Sequence, residues 1–179
     1  VIFMASYSSD AILYLKTFKE QNYAPKMILG QRGGFIQTDF LDTMAGDTEY
    51  ICTTAGWSSD LETEASQQLV ELYKDFTPDG AELSEGHVKD MINVLLLGLA
   101  INQAGTTEPE QVREALRNLD VDTSTLPIPW NGLTIDEYGQ NTSANSFIVQ
   151  MKDGNYRTVY PTANATVDVV YPMPNWSER

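Results

Sequence analysis

The feature that most constrains this chain is the alternation of strand-like and helix-like runs across its first 56 residues. Val1 to Ala5 is a short apolar run, and Ser6-Tyr7-Ser8-Ser9-Asp10 follows it. Ser and Asp accept hydrogen bonds from the free N–H groups of a first helical turn, so a helix with such a cap is expected there. Ala11, Leu15 and Phe18, with Ile12 and Tyr14 beside them, form its apolar stripe, while Lys16, Lys19 and Glu20 take the wet face. Ala24-Pro25 ends that helix, and Lys26 to Gly30 is a second strand. Gln31-Arg32-Gly33-Gly34 is a turn, Phe35 to Ala45 a short helix closed by Gly46, and Glu49 to Ala55 a third strand. The order βαβαβ predicts an α/β fold with a parallel sheet and crossover helices.

The middle of the chain is helical. Glu62 to Phe76 is amphipathic through Ala65, Leu69, Leu72 and Phe76, and Pro78-Asp79-Gly80 breaks it. Ser84 to Ala104 is a long helix, apolar on most sides and therefore expected to be central. Thr107 and Glu110 have the spacing of a capping box for a helix running through Leu119. The last third returns to strands at Leu133 to Ile135 and Ser146 to Met151, with Asp153-Gly154 as a hairpin turn and Tyr156 to Tyr160 returning. From Pro161 onward the chain is irregular.

Charge excludes some functions. Eleven Lys and Arg face 25 Asp and Glu, a formal net charge of −14, and that field repels nucleic acid and anionic lipid. No run reaches the roughly 18 apolar residues of a membrane span. The chain opens inside a strand, as expected of a piece of a longer protein.

Catalytic and metal-binding sets are missing. Cys52 is the one cysteine, so no internal disulfide or thiolate metal site is available, and in its apolar run it reads as a small buried hydrophobe. His87 is the one histidine and falls early on a helix, in a structural or surface role. Asp120-x-Asp122-x-Ser124 opens like a calcium loop, yet Thr125 and Asn131 stand where such a loop needs Gly and Glu, so it reads as a solvated loop. No metal and no cofactor is expected.

Three strand ends carry candidate binding residues. Tyr7 follows the first strand, Gln31 and Arg32 the second, and Trp57 the third. Ligands of open α/β sheets bind beyond strand carboxyl ends, where aromatics give flat walls and Arg gives a carboxylate clamp. The competing reading of Gln31-Arg32-Gly33-Gly34 is a βα turn that needs positive φ.

Stretches spread over almost the whole chain resemble one family. They are Val1 to Tyr7 with Asp10-Ala11, Pro25 to Gly30, Thr53 to Trp57, Glu110-x-Val112-Arg113-Glu114-Ala115-Leu116, and Tyr171-Pro172-Met173-Pro174-x-Trp176. The most specific is Ile135-Asp136-x-x-Gly139-Gln140-Asn141, followed by Val149-Gln150-x-x-Asp153-Gly154-x-Tyr156. In order and spacing they resemble the C-terminal half of the type I periplasmic binding proteins, in the branched-chain amino acid and amide substrate-binding family of ABC importers. The resemblance implies two α/β lobes that close on a solute, with residues 1–56 and 133–179 in one lobe and 57–132 in the other. Hinge crossovers would lie near 56–58 and 130–134.

It also implies partners and a location: a small amino acid or organic carboxylate, ABC permease subunits, and a periplasmic or lipid-anchored extracellular setting. The chain is expected to self-associate or to pair with the missing N-terminal half. By position, Tyr7 matches the family's cleft tyrosine. Gln31 and Arg32 fall where amino-acid binders place an acidic residue against the ligand ammonium. Ser84 and Glu85 fall near a cleft aromatic. Arg32 cannot pair an ammonium and suits a carboxylate, while Glu85 would supply an ammonium partner. A sensor domain of the same fold is the alternative, and a flavodoxin-like enzyme is the alternative from another class.

Overall fold

The computed structural model describes residues 1–77 and 83–179, apart from the side chains of Arg32 and Thr38. The described chain divides into two compact units, Val1–Asp60 with Ser146–Arg179, and Leu61–Asn145. The expected break at Pro78-Asp79-Gly80 lies outside the described residues.

The first unit holds one five-stranded sheet. β1 (Ile2–Met4), β2 (Ile28–Gly30) and β3 (Cys52–Ala55) are parallel neighbours, with α1 (Ser8–Glu20) and α2 (Thr38–Met44) as crossovers. The βαβαβ expectation holds here. β4 (Phe147–Lys152) then joins β3 antiparallel, with Thr53 opposite Val149, and β5 (Asn155–Tyr160) closes the order β1-β2-β3-β4-β5. The sheet is therefore mixed. Its antiparallel half comes from the expected hairpin, whose turn residues Asp153 and Gly154 have φ of 52° and 77°.

One core organises this unit. Met4, Ile28 and Ile51 from the sheet side pack with Ala11 and Leu15 of α1, Phe40 and Met44 of α2, and Met173 and Trp176 of the tail. The irregular last segment is thus part of the core. Gln150 staples it: its buried amide donates to Tyr50 O and Val170 O and accepts from Val170 N. Met173 N also donates to Lys26 O at 2.8 Å, and the Trp176 indole donates to Tyr23 O at 2.8 Å.

The second unit carries α3 (Glu64–Phe76), α4 (Glu85–Ala104) and α5 (Pro109–Arg117). Several expectations are corrected here. α5 is capped at Glu108 with Pro109 in its first turn, so Thr107 and Glu110 form no capping box. Proline is preset for that first turn, and it wins over the Thr107 signal. Val88, Ile92, Leu96 and Ala100 of α4 are buried while Val94 and Leu97 are exposed, so among the described residues this helix is covered on one side. Leu72 and Phe76 of α3 are exposed as well. Leu133 to Ile135 forms no strand; Ile135 makes an isolated bridge to Asn141. The short span between them turns at Gly139, and Asp136 Oδ1 accepts from Tyr138 N and Gln140 N, which leaves no length for a ladder. No helix among the described residues is long and apolar enough to cross a membrane.

Candidate functional site

The first unit brings two of the three strand-end loops together. β1 ends at Met4, and Tyr7 is the N-cap residue of α1. The expected Ser or Asp cap is absent, because the chain turns into the helix one residue before Ser8, and the Tyr7 side chain makes no cap hydrogen bond. The Tyr7 ring is 79% exposed. β2 ends at Gly30, and Arg32–Gly34 follows as a 3₁₀ turn. Gln31 N donates to Met4 O at 2.7 Å, which ties the start of this loop to the end of β1, and Gln31 is exposed.

Gly34 closes the junction. A Cβ there would stand 2.9 Å from the Tyr7 carbonyl carbon and closer still to Ser6 O. The expectation that this turn needs positive φ is corrected: neither Gly33 nor Gly34 is among the residues with positive φ. Gly34 is required by close approach of two backbones, and nothing lies within 4 Å of a Cβ on Gly33. The loop is held from its other side by Phe35. Its ring covers the Gly30 Cα, where a Cβ would stand 2.6 Å from Phe35 Cε2. Its carbonyl accepts the Tyr156 hydroxyl at 2.5 Å. Burial raises the Tyr156 phenol above its ordinary value, and the nearby Cys52 adds to this, so the group stays a donor at neutral pH.

The third strand end differs. Trp57 is 2% exposed, so its ring is covered by protein. Asp60, just beyond it, accepts from Thr158 N at 2.7 Å, from Thr158 Oγ1 at 2.8 Å and from Thr166 Oγ1. Burial opposes the charge, but hydrogen bonds from Ser58, Thr166 and Thr158 together outweigh it and hold the carboxyl below 3.8. Sequence reading missed Gly34, Tyr156 and Asp60 as site-building residues. The Tyr156 and Asp60 partners lie about a hundred positions away, and no local pattern signals them.

Ser84 and Glu85 lie in the second unit. Ser84 caps α4: its Oγ accepts His87 N at 3.3 Å, and His87 Nδ1 accepts Ser84 N at 3.3 Å. The His87 ring also stacks on Tyr73, centroids 5.5 Å apart. A structural part for His87 is what its position suggested. Glu85 is buried and pairs with Lys89 at 3.5 Å. Burial pushes the Cys52 thiol up to about 11, which leaves it protonated and inert at neutral pH. Asp122 accepts from Ser124 N and Oγ, so its carboxylate caps its own loop. No cluster of three metal-binding side chains is present among the described residues.

This arrangement presents an exposed aromatic, an exposed amide and a platform built from two backbones. The chain is 26% identical to the Leu/Ile/Val-binding protein homolog 7 of Brucella suis biovar 1 over 184 residues, covering 97% of this chain and 44% of that relative. Its fold matches a leucine binding protein LivK from Thermotoga maritima, with TM-score 0.73 and 18% identity over 88% of this chain and 43% of that one. A fatty acid ABC transporter substrate-binding protein from Thermomonospora curvata matches with TM-score 0.70 and 17% identity, over 98% and 46%. The chain thus spans less than half the length of the curated relatives it matches. All three are named as binding proteins, and the α/β fold expected from the resemblance matches theirs. A family model described as periplasmic binding protein matches residues 1–155, and the chain belongs to that family.

Proposed function

We propose that this chain is part of an extracytoplasmic solute-binding component of an ABC transporter, which captures a small amino acid-like or carboxylate solute and delivers it to permease subunits. The observation that carries the reading is the meeting of Tyr7 and the Gln31 loop beyond the carboxyl ends of β1 and β2. There the first turn of α1 has no side-chain cap from Tyr7, and a helix N-terminus favours a carboxylate. Leucine and fatty acids, the ligands named for two relatives in fold, share a carboxylate and differ in the ammonium.

Tyr7 and Gln31 are the proposed contacts of the first unit, with Arg32 as carboxylate clamp and Trp57 as a covered support. Ser84 and Glu85 are proposed for the second unit from the family resemblance. The location in this reading is the periplasm or an anchored outer surface. The exposed Phe3 of β1 and Val94 of α4 are proposed to be covered by the rest of a family-length chain, which exceeds the part matched here.

The test is a melting panel with amino acids, aliphatic and aromatic carboxylates, amides and sugars. A ligand at 100 times its Kd adds about 2.7 kcal/mol. A stabilising carboxylate without an amino group supports both the importer reading and the Arg32 clamp. Stabilisation by amino acids alone keeps the importer reading and discards the clamp, and so does an Arg32→Glu protein that binds the same anion equally well. Silence across the panel overturns the ligand class.

A further inference from the structure

We infer that Tyr156 is a positioning residue for the ligand loop, acting through Phe35 and Gly34 on both Gln31 and Tyr7. This rests on the reading of Tyr7 and Gln31 as ligand contacts. The Gln31–Gly34 segment is weakly closed by its own backbone. The backbone bond that closes it, Gly34 N to Gln31 O, is 3.4 Å long, and a three-residue 3₁₀ turn has little cooperativity. Its geometry must be imposed by neighbours.

Three contacts do so. Gln31 N bonds Met4 O, and the Phe35 ring seats on Gly30. Both come from strands adjacent in the chain. The third, Tyr156 hydroxyl to Phe35 O, spans 121 positions and comes from β5, where Tyr156 is set opposite Met151 by the hairpin register. It is also the one contact of the three that needs a particular side-chain atom. A phenylalanine at 156 keeps the ring and removes the donor. The Phe35 carbonyl then loses this bond, and the adjoining Gly34 backbone, which lies against Ser6 and Tyr7, loses its restraint. The two strand-end loops therefore behave as one platform with its distal anchor on β5.

The experiment compares wild type with Tyr156→Phe, using Thr48→Val as a control that removes another buried hydroxyl-to-carbonyl bond, on the turn that precedes β3. Hydrogen exchange is read first, without ligand. Amides of residues 31–37 and 6–8 are expected to exchange about tenfold faster in Tyr156→Phe, the scale of one net hydrogen bond, with β3 unchanged. The control leaves 31–37 unchanged. Unaltered exchange at 31–37, or loosening spread evenly through the unit, overturns the inference.

Calorimetry with L-leucine and with 4-methylpentanoate is read second. Tyr156→Phe weakens whichever probe binds by about tenfold, and Thr48→Val does not. Adding Gln31→Ala to Tyr156→Phe costs less than the sum of the two single changes, because both act through one loop. Full additivity overturns the coupling. If neither probe binds, or if Tyr7→Ala and Gln31→Ala bind as tightly as wild type, the ligand-site reading falls, and the exchange result alone decides the role of Tyr156.

Discussion

Gly33 and Gly34 are adjacent and chemically identical, yet the fold asks different things of them. A methyl on Gly33 meets nothing within 4 Å, while one on Gly34 runs into the Ser6–Tyr7 backbone. Gly34→Ala is expected to lower stability by about 2 kcal/mol, since backbone gives way less readily than a side chain, and Gly33→Ala by much less. Urea denaturation of the pair checks this, and equal effects would refute the close-approach account. Asp60 permits a second prediction. Its folded pKa lies below the ordinary 3.8, so its contribution is fully present above that value and is lost as pH falls through the lower folded value. Asp60→Ala is expected to cost about 2 kcal/mol at pH 7, the scale of hydrogen bonds to a charged group. The gap from wild type should narrow below about pH 4, and a gap that stays constant would contradict the assigned charge state.

Among the elements, the tail is the one whose importance its sequence hides. Residues after Pro161 show no period, and the order of Tyr171 to Trp176 points to a resemblance without explaining it. In the fold, Met173 and Trp176 fill the core against α1 and α2, and Arg179 lies over the Trp176 ring at 3.8 Å. Trp176→Ala is expected to cost about 4 kcal/mol, as large aromatic truncations in cores do. A loss under about 1 kcal/mol by chemical denaturation would mean that the tail is not part of the folding unit. α4 shows the opposite case. Its length and its start at Ser84 are plain in the sequence, but its apolar residues run nearly all round, so periodicity did not tell which side the second unit covers.

For the whole molecule, charge decides the response to salt. Exposed ion pairs such as Lys19–Asp47 and Arg113–Glu110 are each worth little, whereas a net charge of −14 repels itself throughout. Raising NaCl from about 10 mM to about 200 mM shortens the screening length from about 30 Å to under 10 Å. The melting temperature is therefore expected to rise by about 3 °C, and a fall would show that the ion pairs dominate. Exposed apolar side chains set a second expectation. Val94 is 72% and Phe3 63% exposed, more than scattered surface residues on one chain would suggest when Leu97, Leu72 and Phe76 are exposed too. Light scattering of this chain alone should show association that ends when the remaining part of the family-length protein is supplied. A clean monomer at high concentration would count against it.

What the sequence determined by itself was local: alternating periods specified β1 to β3 with their crossover helices, Asp153-Gly154 specified the hairpin, and the strand order set Tyr7, Gln31, Arg32 and Trp57 just after the three parallel strands. These follow from interactions within a few residues, which composition and spacing encode directly. Only the tertiary structure decided that Gly34 serves close approach, that Trp57 is covered, that Ser84 is engaged as a cap, and that Tyr156 and Asp60 hold the strand-end segments. Each of the last two depends on partners about a hundred positions away, and a contact over that separation exists only after the sheet has brought β3, β4 and β5 side by side.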